Sequence, residues 1–197
     1  MDRTFAPLGA TILQPGAGYV TPAHILPARV RLESPAIEVM TDLRVVAPVT
    51  IESHETIDAA NTRMIVNRVR LLLVIGVQGG VVGLITATDL LGEKPMQFIR
   101  HHGVTHNEIL VKDIMTPQAH LEVLSLADVL AARVGHVVET LHAQSRQHAL
   151  VVDADEDGRQ RVRGIFSVTQ IARQLGIQIQ TQEVARTFSE IESLLAR

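Results

Sequence analysis

Val82-Gly83-Leu84-Ile85-Thr86-Ala87-Thr88-Asp89 returns further along the chain as Arg163-Gly164-Ile165-Phe166-Ser167-Val168-Thr169-Gln170. In each string a glycine precedes two large apolar residues and a hydroxyl residue, and helical spacing follows. A second pair lies upstream: Ile37-Glu38-Val39-Met40-Thr41 is echoed by Lys112-Asp113-Ile114-Met115-Thr116. Two strings repeated in one order mark an internal duplication, which constrains the fold more than either string alone.

Between the repeated strings the two copies pass through the same elements. In the first, Thr56 to Met64 has helical spacing, Leu71 to Val74 is a continuous apolar strand, and Gln78-Gly79-Gly80 turns into a second strand, Val81 to Ile85. Thr86 to Leu91 then opens a helix. In the second, apolar residues at Leu130, Val134, Val137, Val138 and Leu141 predict one long helix over 126–141. His148 to Val152 and Val162 to Phe166 are strands around a polar turn, and Val168 to Leu175 is a helix ending at Gly176. The second copy is a few residues longer inside. Each unit carries too little apolar area to stand alone, so the two should pack on each other.

Composition excludes several function classes. The chain of 197 residues is 46% hydrophobic, with four Phe, one Tyr and no Trp, so stacking platforms for nucleic-acid bases are scarce. A net charge of −3 offers no field that would gather a polyanion or an acidic membrane surface. The absence of cysteine removes disulfides, thiolate catalysis and thiolate zinc sites. No run approaches the roughly 18 consecutive apolar residues of a membrane helix, and no secretory leader is visible. The expectation is a cytoplasmic protein that binds neither nucleic acid nor membrane.

These strings resemble the CBS family, whose repeat opens on an apolar-x-x-Met-Thr segment and closes on Gly-apolar-apolar-Thr/Ser-x-x-Asp before a helix. The resemblance covers residues 34–176. It implies an α/β (α+β) fold of two βαββα-type units packed sheet to sheet with pseudo-twofold symmetry, with nucleotide clefts between them and a homodimer of such pairs. The implied organisation is an extended N-terminal arm (1–33), a first CBS motif (34–92), a linker with structure of its own (93–110), a second motif (111–176) and a C-terminal amphipathic helix (177–197).

Thr86 and Asp89 sit where a strand turns into a helix, a place where free backbone N–H groups and the helix dipole favour an anion. The resemblance assigns the hydroxyl to phosphate and the carboxylate to the ribose hydroxyls. Thr-x-x-Asp is also a capping arrangement, and the sequence leaves that alternative open. By the same resemblance Thr50 belongs to the adenine-side wall of this first site. In the second copy Ser167, Gln170 and His148 stand at the corresponding site. Gln170 replaces the ribose carboxylate with a neutral, longer amide, so this site is expected to be weak or vacant. Arg70, Arg146, His148, Arg161 and Arg163 are the cations available for a phosphorylated ligand, Arg161 and Arg163 reading more simply as solvated charges beside a turn.

The implied function is regulatory: an adenine nucleotide (AMP, ADP or ATP) or another adenosyl ligand such as S-adenosylmethionine binds without catalysis or a required cofactor, and a partner protein reads the occupancy. A structural dimerisation module with vacant sites is the alternative. A third, a metal enzyme built on His101, His102 and His106, is weak because adjacent imidazoles diverge in a loop or strand. Asp153-Ala154-Asp155-Glu156-Asp157-Gly158 opens like a calcium loop, but Gly164 stands where the bidentate Glu is needed, leaving a solvated hairpin turn. Val184, Phe188, Ile191 and Leu195 form an apolar stripe for the C-terminal helix that either packs on its own domain or meets a partner.

Overall fold

A computed structural model describes residues 29–155 and 157–177. Most of the N-terminal arm and the apolar stripe from Val184 to Leu195 lie outside these residues.

The chain begins with a single turn of 3-10 helix, Ala36–Val39, and a short strand β1 (Thr41–Asp42). Then come β2 (Thr50–Glu52), α1 (Ile57–Asn67), β3 (Leu71–Ile75), β4 (Val81–Thr86) and α2 (Ala87–Leu91). The segment between the repeats folds as α3 (Lys94–His102), a 3-10 turn at His106–Glu108 and α4 (Val111–Ile114). The second copy follows with β5 (Thr116–Pro117), β6 (Val123–Ser125), α5 (Leu126–Ala131), α6 (Val134–Ala143), β7 (His148–Ala154), β8 (Gln160–Ser167) and α7 (Val168–Gln174).

These strands make two four-stranded sheets, ordered β2-β3-β4-β5 and β6-β7-β8-β1. Within each, the first pair is parallel and the other two are antiparallel. The matching order gives the pair its pseudo-twofold symmetry. Period-two alternation splits each central strand between two cores. Leu72 and Val74 of β3 pack on the helices of the first unit, whereas Leu71 and Leu73 meet Leu150 of β7 between the sheets. Helices α1 and α2 close the first core with Ala60, Met64 and Leu90.

The sequence repeats are not the packing units. Strand β1 opens the first copy but pairs with β8 of the second, Thr41 opposite Ile165 and Asp42 opposite Gly164. Strand β5 opens the second copy but pairs with β4 of the first, Gly83 opposite Pro117 and Leu84 opposite Thr116. The side chains follow: Ala36, Val39 and Met40 lie in the core of the second unit, and Ile109, Val111 and Ile114 in that of the first. An ion pair fastens one exchange, since Arg163 grips the Asp42 carboxylate with both terminal guanidinium nitrogens. That contact, with the Arg44 backbone N–H, holds the Asp42 carboxyl below its usual range. Arg163, expected among solvated charges, is thereby only 13% exposed in its side chain.

The exchange also breaks the long helix predicted over 126–141. It stops after Ala131 and restarts at Val134, because Ala132 and Arg133 are extended and hydrogen-bond the incoming segment. The Ala132 carbonyl accepts from Ala36 N–H, while Val134 and Gly135 N–H donate to the Ser34 and Leu32 carbonyls. Backbone groups committed sideways are lost to the helix. The second copy is longer in two places, between β6 and β7, where α5 is added ahead of the main helix, and in the β7–β8 hairpin.

Glycine is required where each opening segment crosses. A Cβ on Gly83 would stand 2.7 Å from Met115 Sδ and 2.8 Å from the Thr116 carbonyl oxygen. One on Gly164 would run into the Met40 side chain, 2.6 Å from Cγ. Alanine at either position is expected to cost about 1–3 kcal/mol by overpacking, measured by urea denaturation. Shortening Met40 should recover part of the Gly164→Ala loss, since that side chain supplies the nearest atoms. Shortening Met115 should not rescue Gly83→Ala, where backbone obstructs. Equal rescue at both sites in double-mutant cycles would contradict this account.

Candidate functional site

Among the described residues, two of the cavities between the units lie at a turn where a closing strand enters a helix. The first, about 320 Å³, is lined by Thr86, Thr88 and Asp89 and walled by His120–Glu122 and Ser145–His148 of the second copy. The second, about 360 Å³, is lined by Ser167, Thr169 and Gln170 and walled by Ala47–Val49 and Asn67–Leu71 of the first copy. Each closing turn therefore faces a wall from the other repeat.

This geometry rearranges the expected sites. Thr50 does not join Thr86 and Asp89; it lines a wider cavity of about 1020 Å³ at the hairpin end of the sheets, together with Arg161. The exchange is the reason, since the first-copy wall at Ala47–Val49 faces Ser167 and Gln170. Of the cations, Arg146 reaches the Asp89 cavity, Arg70 the Gln170 cavity and His148 both. Arg163 reaches neither and holds Asp42 instead.

At the first turn the capping arrangement is present. Asp89 Oδ2 accepts from the Thr86 backbone N–H at 2.8 Å and from its hydroxyl at 2.7 Å, while Thr86 Oγ1 accepts from Asp89 N–H. Capping and ligand reading are compatible, because a carboxylate offers about four acceptor sites. The remaining oxygen, Oδ1, meets Lys94 Nζ of α3 at 2.6 Å, and the Asp89 side chain is only 12% exposed. Lys94 also donates to the Ile114 carbonyl. Nothing in the repeat pattern singled out Lys94.

The second turn is built differently. Gln170 cannot cap as Asp89 does; its Oε1 instead accepts from Thr41 Oγ1 at 3.3 Å. No hydrogen bond caps the helix through Ser167. Arg68 and Arg173 line this cavity beside Arg70, and neither was singled out by sequence. Arg68 reaches it from the left-handed residue that ends α1, at φ 54°. The position directly after a helix and before a strand was its sequence signal.

The floor between the cavities is shared by Leu71 and His148, which line both. They are counterparts, each opposite the hydroxyl residue of its closing strand: Leu71 pairs with Thr86 and His148 with Ser167. Burial, helped by the Arg70 charge and opposed by Asp89, pushes the His148 imidazole down to about 4.

The other polar clusters are accounted for locally. His101 and His102 lie on α3, their Nδ1 atoms on the Gln97 and Phe98 carbonyls, with His102 stacked on Phe98. Among the described residues no group of three or more His, Asp or Glu is placed to hold a metal. Asp155 Oδ1 accepts from the Asp157 and Arg159 N–H groups, making the β7–β8 connection a hairpin turn. No described helix is long and apolar enough to cross a membrane.

No curated protein matches the chain. Residues 36–95 match the model of the CBS domain. An uncharacterised conserved protein from Pyrococcus horikoshii is similar in structure, at 21% identity and TM-score 0.54 over 78% of this chain and 100% of that one. A CBS-domain protein from Agrobacterium tumefaciens gives 18% identity and TM-score 0.51 over 69% and 93%. The CBS domain of a bacterial CNNM/CorC family magnesium transporter gives 20% and 0.50 over 75% and 79%. At these identities the likeness to solved structures is one of fold.

His148 carries a pH prediction. Its folded value lies below the ordinary 6.5, so the unfolded chain takes up the proton first as pH falls, and stability is lost between about 6.5 and 4. Replacing it by its counterpart, His148→Leu, should remove that part of the pH dependence. Denaturation at pH 7.5 and 4.5 checks this: the variant should gain on the wild type at the lower pH. A constant difference would disprove the assignment.

Proposed function

We propose that this chain, a CBS-domain protein with the fold of a tandem pair, is a regulatory module that binds an adenosyl ligand between its two units. The observation that carries the reading is Asp89. Its carboxylate is held at the strand-to-helix turn of a half-open cleft by two hydrogen bonds from Thr86, both to Oδ2, with Oδ1 on Lys94. A carboxylate fixed in this way is suited to the vicinal hydroxyls of a ribose, each charge-assisted bond contributing about 1.5–3 kcal/mol. The wall from the second copy supplies apolar Leu121 and Leu150 for the base. AMP, ADP, ATP and S-adenosylmethionine share this nucleoside end, and no cofactor or catalytic step is required.

Occupancy has a route outward. A ribose hydroxyl on Asp89 Oδ1 competes with Lys94 for the same atom, and Lys94 begins α3, the helix that joins the repeats. A ligand that prefers the state with Lys94 released shifts α3, and a partner protein reads the shift.

A second reading, a dimerisation or docking module, is favoured by apolar residues left open on the helices: Ile65 and Val66 of α1 are 68% and 74% exposed and Leu91 of α2 is 75% exposed. It is compatible with ligand binding, and sedimentation of the full chain with and without nucleotide distinguishes a monomer from a pair.

The test is a thermal-shift panel of AMP, ADP, ATP, NAD and S-adenosylmethionine. At 100 times its dissociation constant a ligand stabilises by about 2.7 kcal/mol. Because Asp89 also caps α2, the informative variant is Asp89→Asn, which keeps the shape and one acceptor while removing the charge. Its affinity for the preferred ligand should fall about tenfold or more. Absence of a shift with every ligand in the wild type would defeat the reading.

A further inference from the structure

The two clefts share a plan and differ in charge. In the Asp89 cleft both carboxylates face paired cations: Asp89 holds Lys94 at 2.6 Å, and Glu122 holds Arg146 at 3.1 Å. No lining guanidinium there is left for an anion. The Gln170 cleft is lined by Arg68, Arg70 and Arg173 and by no carboxylate. Among the described residues none of these three takes part in an ion pair, the cations that do being others. They come from three separate elements: the end of α1, the entry to β3 and the last turn of α7. The substitution of Gln for Asp acts in the same direction. It removes the one carboxylate the turn would carry, and it leaves the Ser167 hydroxyl outside any cap.

We infer that the cleft at Ser167 and Gln170 takes the phosphate-rich ligand, a nucleoside di- or triphosphate, with Arg70 and Arg173 as the residues that read the number of phosphates. This deepens the nucleotide reading above and rests on it. An oligophosphate carries several negative charges, and guanidinium groups bind phosphate oxygens with planar, paired donors that lysine lacks. Three like charges gathered in one cleft without a counter-ion also repel one another, and an anion relieves that repulsion. The Asp89 cleft has the opposite character. An extra phosphate there meets two carboxylates whose cations are already engaged. The replacement of the ribose carboxylate at Gln170 thus sets the ligand class of this cleft and does not close it. Affinity in this cleft should rise from AMP through ADP to ATP and fall with salt.

The experiment is calorimetric titration of the full chain with AMP, ADP, ATP and inorganic tripolyphosphate, in chelator to exclude divalent cations, against Arg70→Ala/Arg173→Ala and Arg146→Ala. All the substituted arginines are at least partly solvent-accessible, and urea denaturation of each variant confirms folding. Wild type should prefer ATP over AMP by about tenfold or more, the loss expected for one charge-assisted contact. The double variant should lose that preference and the tripolyphosphate binding, while Arg146→Ala keeps both. Equal affinities for AMP and ATP in the wild type overturn the inference and leave the nucleotide reading in place. An ATP preference that survives in the double variant, or disappears with Arg146→Ala, overturns it likewise. Binding of tripolyphosphate through Arg70 and Arg173 without any adenine nucleotide binding keeps the anion site and ends the nucleotide reading. Binding of none of the four overturns the inference and leaves the adenosyl reading to S-adenosylmethionine and NAD in the thermal-shift panel.

Discussion

Everything in this molecule depends on the crossing of two short segments. Met40 lies over Gly164 and Met115 over Gly83, so the strand that opens each repeat completes the sheet that closes the other. Neither repeat has a whole core without that loan: Val39 and Met40 are buried among residues of the second copy, Val111 and Ile114 among those of the first. A unit built from one copy alone would leave a sheet edge unpaired and an apolar face uncovered, both costly in water. Duplication is therefore a condition of folding here, and the clefts arise as its by-product. A closing turn that faces the other copy's wall is what an exchanged pair must produce.

Within that symmetric frame the chemistry diverges at a few positions. Leu71 and His148 occupy equivalent places on the shared floor, one inert and one titratable. Asp89 and Gln170 occupy equivalent places on the closing turns, one bonded to its own cap and to Lys94, the other to Thr41 of the crossing segment. The contrast at Thr41 is instructive. Because β1 runs beside β8, the hydroxyl of the first Met-Thr motif is delivered to the second turn, and Gln170 has the length to reach it. A shorter carboxylate committed to its own helix cap would not be positioned for that bond. The substitution at 170 thus belongs to a local network involving both copies.

Much of the fold was legible because it follows from periodicity. The strands at Leu71 and His148, the two hairpins and the helix starts at Thr56 and Thr86 emerged within a residue or two, since alternation, turn residues and caps are local signals. What resisted reading was non-local. The unbroken helical spacing from Leu126 to Leu141 gives no warning that Ala132 and Val134 must bond Ala36 and Ser34 from far upstream. Thr50 was grouped with Asp89 by its place in its own repeat, and the exchange sent that wall to the opposite cleft. Lys94, Arg68 and Arg173 escaped notice for a related reason: the path of the backbone brings Lys94 to Asp89 and the two arginines to their cavity, and a cation on a surface element looks the same in sequence whatever it meets.

The double duty of Asp89 explains why capping and binding need not be rival readings of one motif. A carboxylate that bonds the N–H and hydroxyl of Thr86 has its rotamer set before any ligand arrives. That order is part of the folding free energy, so a ligand need not freeze the side chain on binding. The same bonds use only Oδ2, leaving Oδ1 to a partner that can be exchanged. That partner is Lys94, a long side chain 45% exposed. A largely covered acceptor with a fixed rotamer, facing a more exposed donor, makes a contact that another donor can replace without disturbing the cap. On this geometry the cap and the site are one construction, and the linker helix begins at the residue any ribose on that oxygen would have to displace.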